Sequence, residues 1–127
     1  MGAAAVDPAK ETYVNLATFR RNGVEVKTPV WIAPMDGRHY VFSEGEAGKV
    51  KRIRSNPRVR LAACDMRGNV RGGWIDGRAR IVEDTVLVSR VRAAFRRKYG
   101  WIMRLTDLLA GISGRLQRRA YIEIELT

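Results

Sequence analysis

Two stretches constrain the fold more than any other part of the chain: "RRNGVEVKTPVWIA" and "PMDGRHYVFS". Each sets a glycine turn pair, Asn22-Gly23 and Asp36-Gly37, beside an extended run, which is the strongest short-range signal for a β-hairpin. Between the two turns Val24, Val26, Thr28, Val30 and Ile32 alternate with Glu25, Lys27, Pro29, Trp31 and Ala33. A period of two sends the first set to one face of a strand and the second to the other. The sequence around these turns therefore folds as antiparallel sheet. Pro29 has no N–H to give to a ladder, so the strand meets an edge or a bulge there.

The rest of the chain extends this pattern. Tyr13 onward reads as a strand, and Arg38–Ser43 as another. In "GKVKRIRSNP" the apolar residues Ala47, Val50 and Ile53 fall three apart, with Lys49, Lys51, Arg52 and Arg54 off that stripe. This is a short basic helix, stopped at Asn56-Pro57 because the residue before proline avoids helical angles. "RVRLAACDM" alternates again, "RGN" turns, and "VRGGWIDGRARIV" reads as a longer strand carrying Gly72, Gly73 and Gly77. Glycines inside a strand mark a bulge or a group approaching the backbone closely. From Glu83 to Tyr99 the period turns helical, with Leu87, Val88, Val91, Ala94 and Phe95 on one face. A second helical stretch covers Trp101–Ile112, with Gly114 beyond its end. "RRAYIEIEL" closes as a strand with Ala120, Ile122, Ile124 and Leu126 inward and Tyr121, Glu123 and Glu125 outward. The expected fold is mainly β with some α: a small six-stranded antiparallel barrel with one short basic helix and a helical pair before the last strand. Residues 1–12 read as a flexible arm and residues 13–127 as one barrel domain.

A chain of 127 residues buries enough surface for a core without disulfides or metals. Its charge is the unusual property: 24 basic residues against 13 acidic give +11. Nineteen of the basic residues are Arg; GC-rich codon usage accounts for some of the preference over Lys but not for the net charge. Such a field draws anions: a nucleic-acid backbone, a membrane surface or a cofactor phosphate. Cys64 is a lone cysteine, so no disulfide framework and no thiolate zinc site can form, and a reducing cytoplasmic setting is expected. "MGAAAVDPAKE" lacks a basic stretch followed by an apolar run, and Val6 breaks the myristoylation pattern. No apolar run approaches bilayer-spanning length, and no membrane partner is expected.

The side chains offer little chemistry of their own. His39 is the single histidine and Cys64 sits in a strand, where packing is the default role. No nucleophile triad, carboxylate dyad or metal set can be assembled, so no catalytic or metal residue is assigned. "SEGEAGKV" fails as a phosphate loop, because Ser43 takes the first glycine position and Val50 replaces the hydroxyl that would bind magnesium. If the chain is an enzyme, a cofactor carries the reaction and the protein supplies binding and field. Lys49 and Lys51, beside glycines, suit an anion. Trp31 and Trp74 could wall a flat ring, though each is a core residue by default.

"ATFRRNGVEVKTPVWIA", "GKVKRIRSNPRVRLAACDMRG", "GGWIDGRARIVED" and "RRKYGW", in this order, resemble the flavin/deazaflavin oxidoreductases with the pyridoxamine-phosphate-oxidase-like split barrel. The resemblance covers about residues 13 to 126 and is strongest to the PPOX-class F420-dependent group. It implies a six-stranded, FMN-binding-like split barrel and a homodimer with cofactor sites at the subunit interface. By position it implies Lys49 and Lys51 at the cofactor phosphate, with Arg54 and Asn56 next to them. Thr28, Pro29, Val30 and Trp31 would line the ring from one strand. Arg71, Gly72, Gly73 and Trp74 would lie on the other side, and Tyr99 and Trp101 would close the pocket from the partner chain. Gly72-Gly73 departs from relatives with bulkier residues there.

The implied activity is hydride transfer from reduced coenzyme F420 to a small unsaturated or quinone-like acceptor. F420 carries a phosphodiester and an acidic polyglutamate tail, to which a strongly basic domain is suited. FMN is the alternative cofactor, and a non-catalytic flavin carrier the alternative role. A basic barrel binding single-stranded nucleic acid is the last rival. It has few aromatics to stack bases, only His39, Tyr40 and Phe42 being clustered, and nucleic acid is not expected as a partner.

Overall fold

A computed structural model describes residues 7–45, 47–114 and 119–127. Six antiparallel strands, β1 (Tyr13–Phe19), β2 (Glu25–Met35), β3 (Arg38–Glu44), β4 (Arg58–Cys64), β5 (Ile75–Val82) and β6 (Arg119–Leu126), close into a barrel in the order β1-β2-β3-β6-β5-β4. Helix α1 (Gly48–Ser55) follows β3, and α2 (Thr85–Tyr99) and α3 (Trp101–Ile112) precede β6. The expected fold class holds, and the helix and strand bounds agree closely except before β5. Of the arm expected at 1–12, residues 1–6 lie outside the described residues. Pro8–Lys10 form a 3-10 turn with Pro8 buried, and Lys98 Nζ donates to the Glu11 carbonyl, so this part is tied to the barrel.

The barrel is two three-stranded sheets joined by short ladders. β1 pairs with β2 along its whole length, Tyr13↔Trp31 to Phe19↔Glu25, and with β4 from Tyr13↔Cys64 to Ala17↔Arg60. β6 pairs with β3 from His39↔Ile124 to Glu44↔Arg119 and with β5 from Gly77↔Leu126 to Val82↔Tyr121. Between the two sheets β2 meets β3 only from Ile32↔Val41 to Met35↔Arg38, and β4 meets β5 only from Arg58↔Arg78 to Leu61↔Ile75. Pro29 lies in the part of β2 that pairs with β1 alone, so the missing N–H falls beside an open edge.

The turns obey their chemistry with one adjustment. Asp36 and Gly37 both have positive φ, 53° and 76°, and form the two-residue turn that the β2–β3 hairpin twist requires. The loop at Asn22-Gly23 is longer than two residues, because the ladder ends at Phe19↔Glu25 and only Gly23 has positive φ. Val24 consequently lies in the loop and is exposed, although the alternation placed it inward.

Two apolar clusters result. Val14, Leu16, Val30, Ile32, Val41, Val59, Leu61, Ala79, Ile122 and Ile124 fill the barrel, and Ile53 enters it from α1. Outside, α2 lays Val91, Ala94 and Phe95 over Ala33, Tyr40, Val82 and Tyr121. Tyr121 and Glu123 face out of the barrel as expected, but neither reaches water. Tyr121 is under α2, and the Glu123 carboxylate takes both Arg80 Nε (3.0 Å) and Nη2 (2.9 Å) and the Tyr40 hydroxyl (3.0 Å). Burial alone would raise the Glu123 carboxyl. The bonds from Arg80 and Tyr40 and the charges of Arg80 and Arg38 outweigh it and hold it below its usual range.

Gly77 bears out the close-approach reading of strand glycines. A Cβ there would sit 3.0 Å from the Glu125 carbonyl oxygen and 3.2 Å from Ile124 Cγ2. Residues 71–74 do not extend β5 as the alternation suggested: two adjacent glycines are costly to order in a strand, and β6 ends at Leu126, opposite Gly77.

Gly77→Ala is expected to cost about 1–2 kcal/mol in urea unfolding, since the neighbour to be displaced is backbone. Glu123→Gln should cost about 1–2 kcal/mol at neutral pH, a figure kept low because Arg80 and Arg38 are half exposed. The folded pKa lies below the unfolded one, so this stability is complete above the ordinary glutamate range, ~4.3. It is lost as pH falls through the lowered folded value. Melts from pH 7 to 3 should show wild type converging on the variant.

Candidate functional site

Above Ile32↔Val41 strands β2 and β3 separate. Helix α1 sets the site: it starts just past the end of β3 and packs against β1 and β5. Val50 and Ile53 are buried on its inner face, which leaves the cationic side of α1 facing out, as the three-residue spacing implied. Arg52 leans back along the helix: Nε donates to Thr18 Oγ1 at 2.7 Å, and its Nη1 occupies the space over Gly48, where a Cβ would come within 2.6 Å.

Arg52, Lys51 and Ser55 form one side of a cleft of about 300 Å³. Phe19, Arg20 and Arg21 of the β1–β2 loop form the other. Its lining holds four cations and no carboxylate. Burial first, and then the neighbouring Arg20 charge, pull Arg52 below its ordinary value. Arg58 stands over the Phe19 ring at 4.5 Å and adds a fifth cation nearby.

Lys49 points the other way. Its Nζ donates to Ser43 Oγ at 3.0 Å, and burial first, then Arg52, lower its pKa, with Glu44 opposing. Ser43 lines a second cavity of about 310 Å³ with Phe42, Glu44, Thr106, Leu109, Ala110 and Arg119. Lys51 and Lys49 thus lie on different sides of α1, Lys51 in the basic cleft and Lys49 on Ser43, which lines a mainly apolar cavity between β3 and α3.

The residues expected at the site fall into separate places. Lys51 lines the cleft, Lys49 is bonded to Ser43 of the cavity wall, and Arg54 is exposed on α1. Asn56 is occupied locally, its Oδ1 accepting from the Arg58 N–H at 3.1 Å as the chain leaves the helix. Val30 is in the barrel core and Thr28 is half-buried on the same face, while Pro29 is exposed. Trp31 is outside the barrel, stacked on Tyr99 at 4.5 Å and 11° and edge-on to Phe42, so it packs against α2 and keeps part of its surface exposed. Tyr99 is fixed as well. Its hydroxyl accepts from the Ile32 N–H (3.0 Å) and donates to the Thr12 carbonyl (2.7 Å), and burial pushes its pKa to about 12.

Arg71, Gly72, Gly73 and Trp74 form the loop before β5. Arg71 reaches Glu11 and the Cys64 carbonyl, and Trp74 lies between Arg60 and Lys27, 4.9 and 5.3 Å from its ring. Nothing stands within 4 Å of a Cβ placed on Gly73, so this loop keeps open space. Trp101 is exposed. Arg20, Arg21, Arg52 and Ser43 are the members that the sequence reading did not assign. A pair of arginines in a hairpin loop carries no signal until the loop is seen beside α1.

The remaining reactive side chains match their default roles. Burial raises the Cys64 thiol and lowers His39, whose Nδ1 is buried without a partner among the described residues. Tyr40 and Phe42 turn inward against α2 and offer no stacking platform for bases. No cluster of metal-ligating side chains occurs among the described residues.

The fold is that of a small six-stranded split-barrel protein. A family model for pyridoxamine 5'-phosphate oxidase matches residues 3–127, and the chain belongs to that family. None of the curated proteins matches it in sequence. Among solved structures it is similar to the heme storage protein HutZ from Vibrio cholerae (TM-score 0.71, 18% identity, 94% of this chain and 84% of that one). A conserved hypothetical protein from Mycobacterium tuberculosis is also similar (0.69, 22%, 93% and 74%). So is a FAD-binding protein from Mesorhizobium loti (0.59, 18%, 94% and 84%). At these identities the likeness is one of fold.

Gly48→Ala tests the packing at the start of α1. A new methyl must displace the Arg52 guanidinium from Thr18, losing a charged hydrogen bond of about 1.5 kcal/mol. The helix gains about 0.5–1 kcal/mol from losing a glycine. Urea unfolding should therefore show a net change under about 1 kcal/mol.

Proposed function

We propose that this chain is an F420-dependent oxidoreductase, acting as a cytoplasmic homodimer whose barrel, residues 13–127, binds the cofactor. The observation that carries the reading is the cleft of Arg20, Arg21, Lys51 and Arg52, with four cations and no acid in its lining. Its donors fit a phosphodiester with further carboxylates behind it better than a single terminal phosphate. The bound cofactor supplies a hydride to a small unsaturated or quinone-like acceptor. The chain's own residues do the holding.

Lys51 and Arg52 take the anionic group by charge-assisted bonds, and Arg20 and Arg21 set the field that brings it in. Lys49, held on Ser43, presents a cation at the edge of the apolar cavity. Phe42, Leu109 and Ala110 give that cavity apolar walls against which a flat acceptor or ring can pack. Thr28 and Pro29 on the open edge of β2, with Arg71, Gly72, Gly73 and Trp74, form the remaining surfaces to which the partner subunit adds. Val30 holds that strand from the barrel core and Trp31 from the α2 side, while Arg54 adds an exposed cation on α1 and Asn56 closes the turn after it.

The FMN reading and the carrier reading stay as alternatives, favoured by the lack of a reactive side chain in the seam. The name of the similar FAD-binding protein also points to flavin. Fluorescence titration with F420 and, separately, FMN distinguishes the first. Turnover against a panel of enones and quinones distinguishes the second.

Lys51→Glu should weaken F420 binding about 10- to 100-fold, the worth of one charged hydrogen bond reversed, while leaving the melting temperature within a few degrees. Unchanged affinity in a folded variant removes Lys51 from the site, and no binding of either cofactor by the wild type sinks the reading.

A further inference from the structure

Helix α3 is held by its own chain on one side only. Met103, Asp107 and Ala110 are buried there, and Asp107 accepts from Arg96 Nε (2.9 Å) and Arg119 Nη1 (2.8 Å). On the opposite side Trp101, Leu105, Leu108 and Ile112 recur at i, i+4, i+7 and i+11, which is one stripe of a helix. Ile102 and Leu109 flank the stripe. Within the single chain all six are exposed, Trp101 at 73% and Ile112 at 77%. The other exposed large apolar side chains among the described residues, Val24, Met66, Val70 and Val86, lie in loops or at the start of α2. Apolar surface without a cover is thus gathered on α3, which marks it as a contact surface.

The stripe is complementary to itself. Its gaps of four, three and four residues read the same in both directions. A second α3 laid antiparallel, about a two-fold axis passing between Thr106 and Asp107, sets Trp101 against the partner's Ile112 and Leu105 against the partner's Leu108, each contact being made twice. Gaps of four and three are also the spacing of a helix–helix seam. The size fits: six side chains exposed to this degree offer on the order of 600 Å² per copy and about 1,200 Å² for the pair, the lower end of a standard interface. The charge fits as well. Arg104 and the buried Asp107 are the only charged residues of α3, and Arg104 lies off the stripe at its edge, where an interface keeps its polar rim.

We infer that α3 is the helix on which two copies of this chain pair, stripe to stripe and antiparallel. The inference rests on the homodimer of the preceding reading and gives it a contact surface. Leu109 flanks the stripe and also lines the cavity with Phe42, Ser43 and Arg119, so a partner helix seated on the stripe stands at the rim of that cavity and completes its surroundings. The stripe also starts beside β2. Tyr99, two residues before Trp101, has its hydroxyl bonded to the Ile32 N–H at 3.0 Å. The second copy on α3 is therefore next to the strand whose open edge the same partner is proposed to meet.

Light scattering during size-exclusion chromatography of the full chain tests this. Wild type should elute as a species of twice the chain mass. Leu105→Gln, Leu108→Gln and Ile112→Gln together should raise the dissociation constant at least about 100-fold, giving a monomer whose far-UV spectrum matches wild type. A photo-crosslinker keeps the test independent of how that variant folds: p-benzoylphenylalanine at position 108 retains the apolar surface and should join α3 of one copy to α3 of the other, read by mass spectrometry. A dimer that survives the triple substitution, or crosslinks that map to the barrel, would place the contact elsewhere and overturn the inference while leaving the homodimer standing. A monomeric wild type would overturn both, and if that monomer floated with phosphatidylglycerol vesicles the stripe would belong to lipid. The cofactor titrations are read separately, so loss of the F420 reading is told apart from either result.

Discussion

Val50 and Ile53 of α1 enter the structure where the two sheets part, and much of the molecule depends on that contact. β2 and β3 share a ladder only between Ile32↔Val41 and Met35↔Arg38. Beyond it each strand keeps one partner and leaves one edge open. A helix that follows β3 directly can cover the exposed end of the core, and burying two aliphatic side chains stabilises it by about 3–6 kcal/mol before ordering costs. Once the apolar stripe faces inward, the basic residues interleaved with it have one place to go. The cationic rim of the seam is a geometric consequence of how the barrel is plugged.

The excess of arginine divides into two populations. One is structural. Arg80 clamps Glu123 on the outside of β6, and Arg96 and Arg119 converge on Asp107, where α3 meets the barrel. The buried Arg119 also lies over the Phe42 ring at 4.4 Å. In these places the carboxylates are used up. The other population, at Arg20, Arg21, Lys51 and Arg52, lines a cleft that holds no acid. A net charge of +11 is thus not spread evenly but concentrated where the few acids are absent. The cleft proposed to hold the anionic group lies in that concentration.

Most of the fold was legible because its elements are local. The alternation of Val14, Leu16 and Val30, Ile32, the helical spacing of Val91, Ala94 and Phe95, and the stop at Asn56-Pro57 each depend on neighbours a few residues away. The site was less so. Lys49 and Lys51 were read from one segment and lie on different sides of α1. Trp31 was expected to pack by default, and only the family resemblance set it beside a ring. It is stacked on Tyr99, 68 residues later, and no short window contains that fact. Arg71-Gly72-Gly73-Trp74 was read as strand because alternation cannot show where a partner strand runs out.

The sequence by itself determined the six strands, the three helices, the faces they turn to the barrel and the surplus of cations, since backbone period and turn chemistry act over a few residues. Only the tertiary structure decided where the barrel stays unpaired, which arginines find a carboxylate and which apolar helix face no other element of the chain covers. Those outcomes depend on pairings between segments tens of residues apart, and a side chain's partner is set by the packing of both elements that carry the pair.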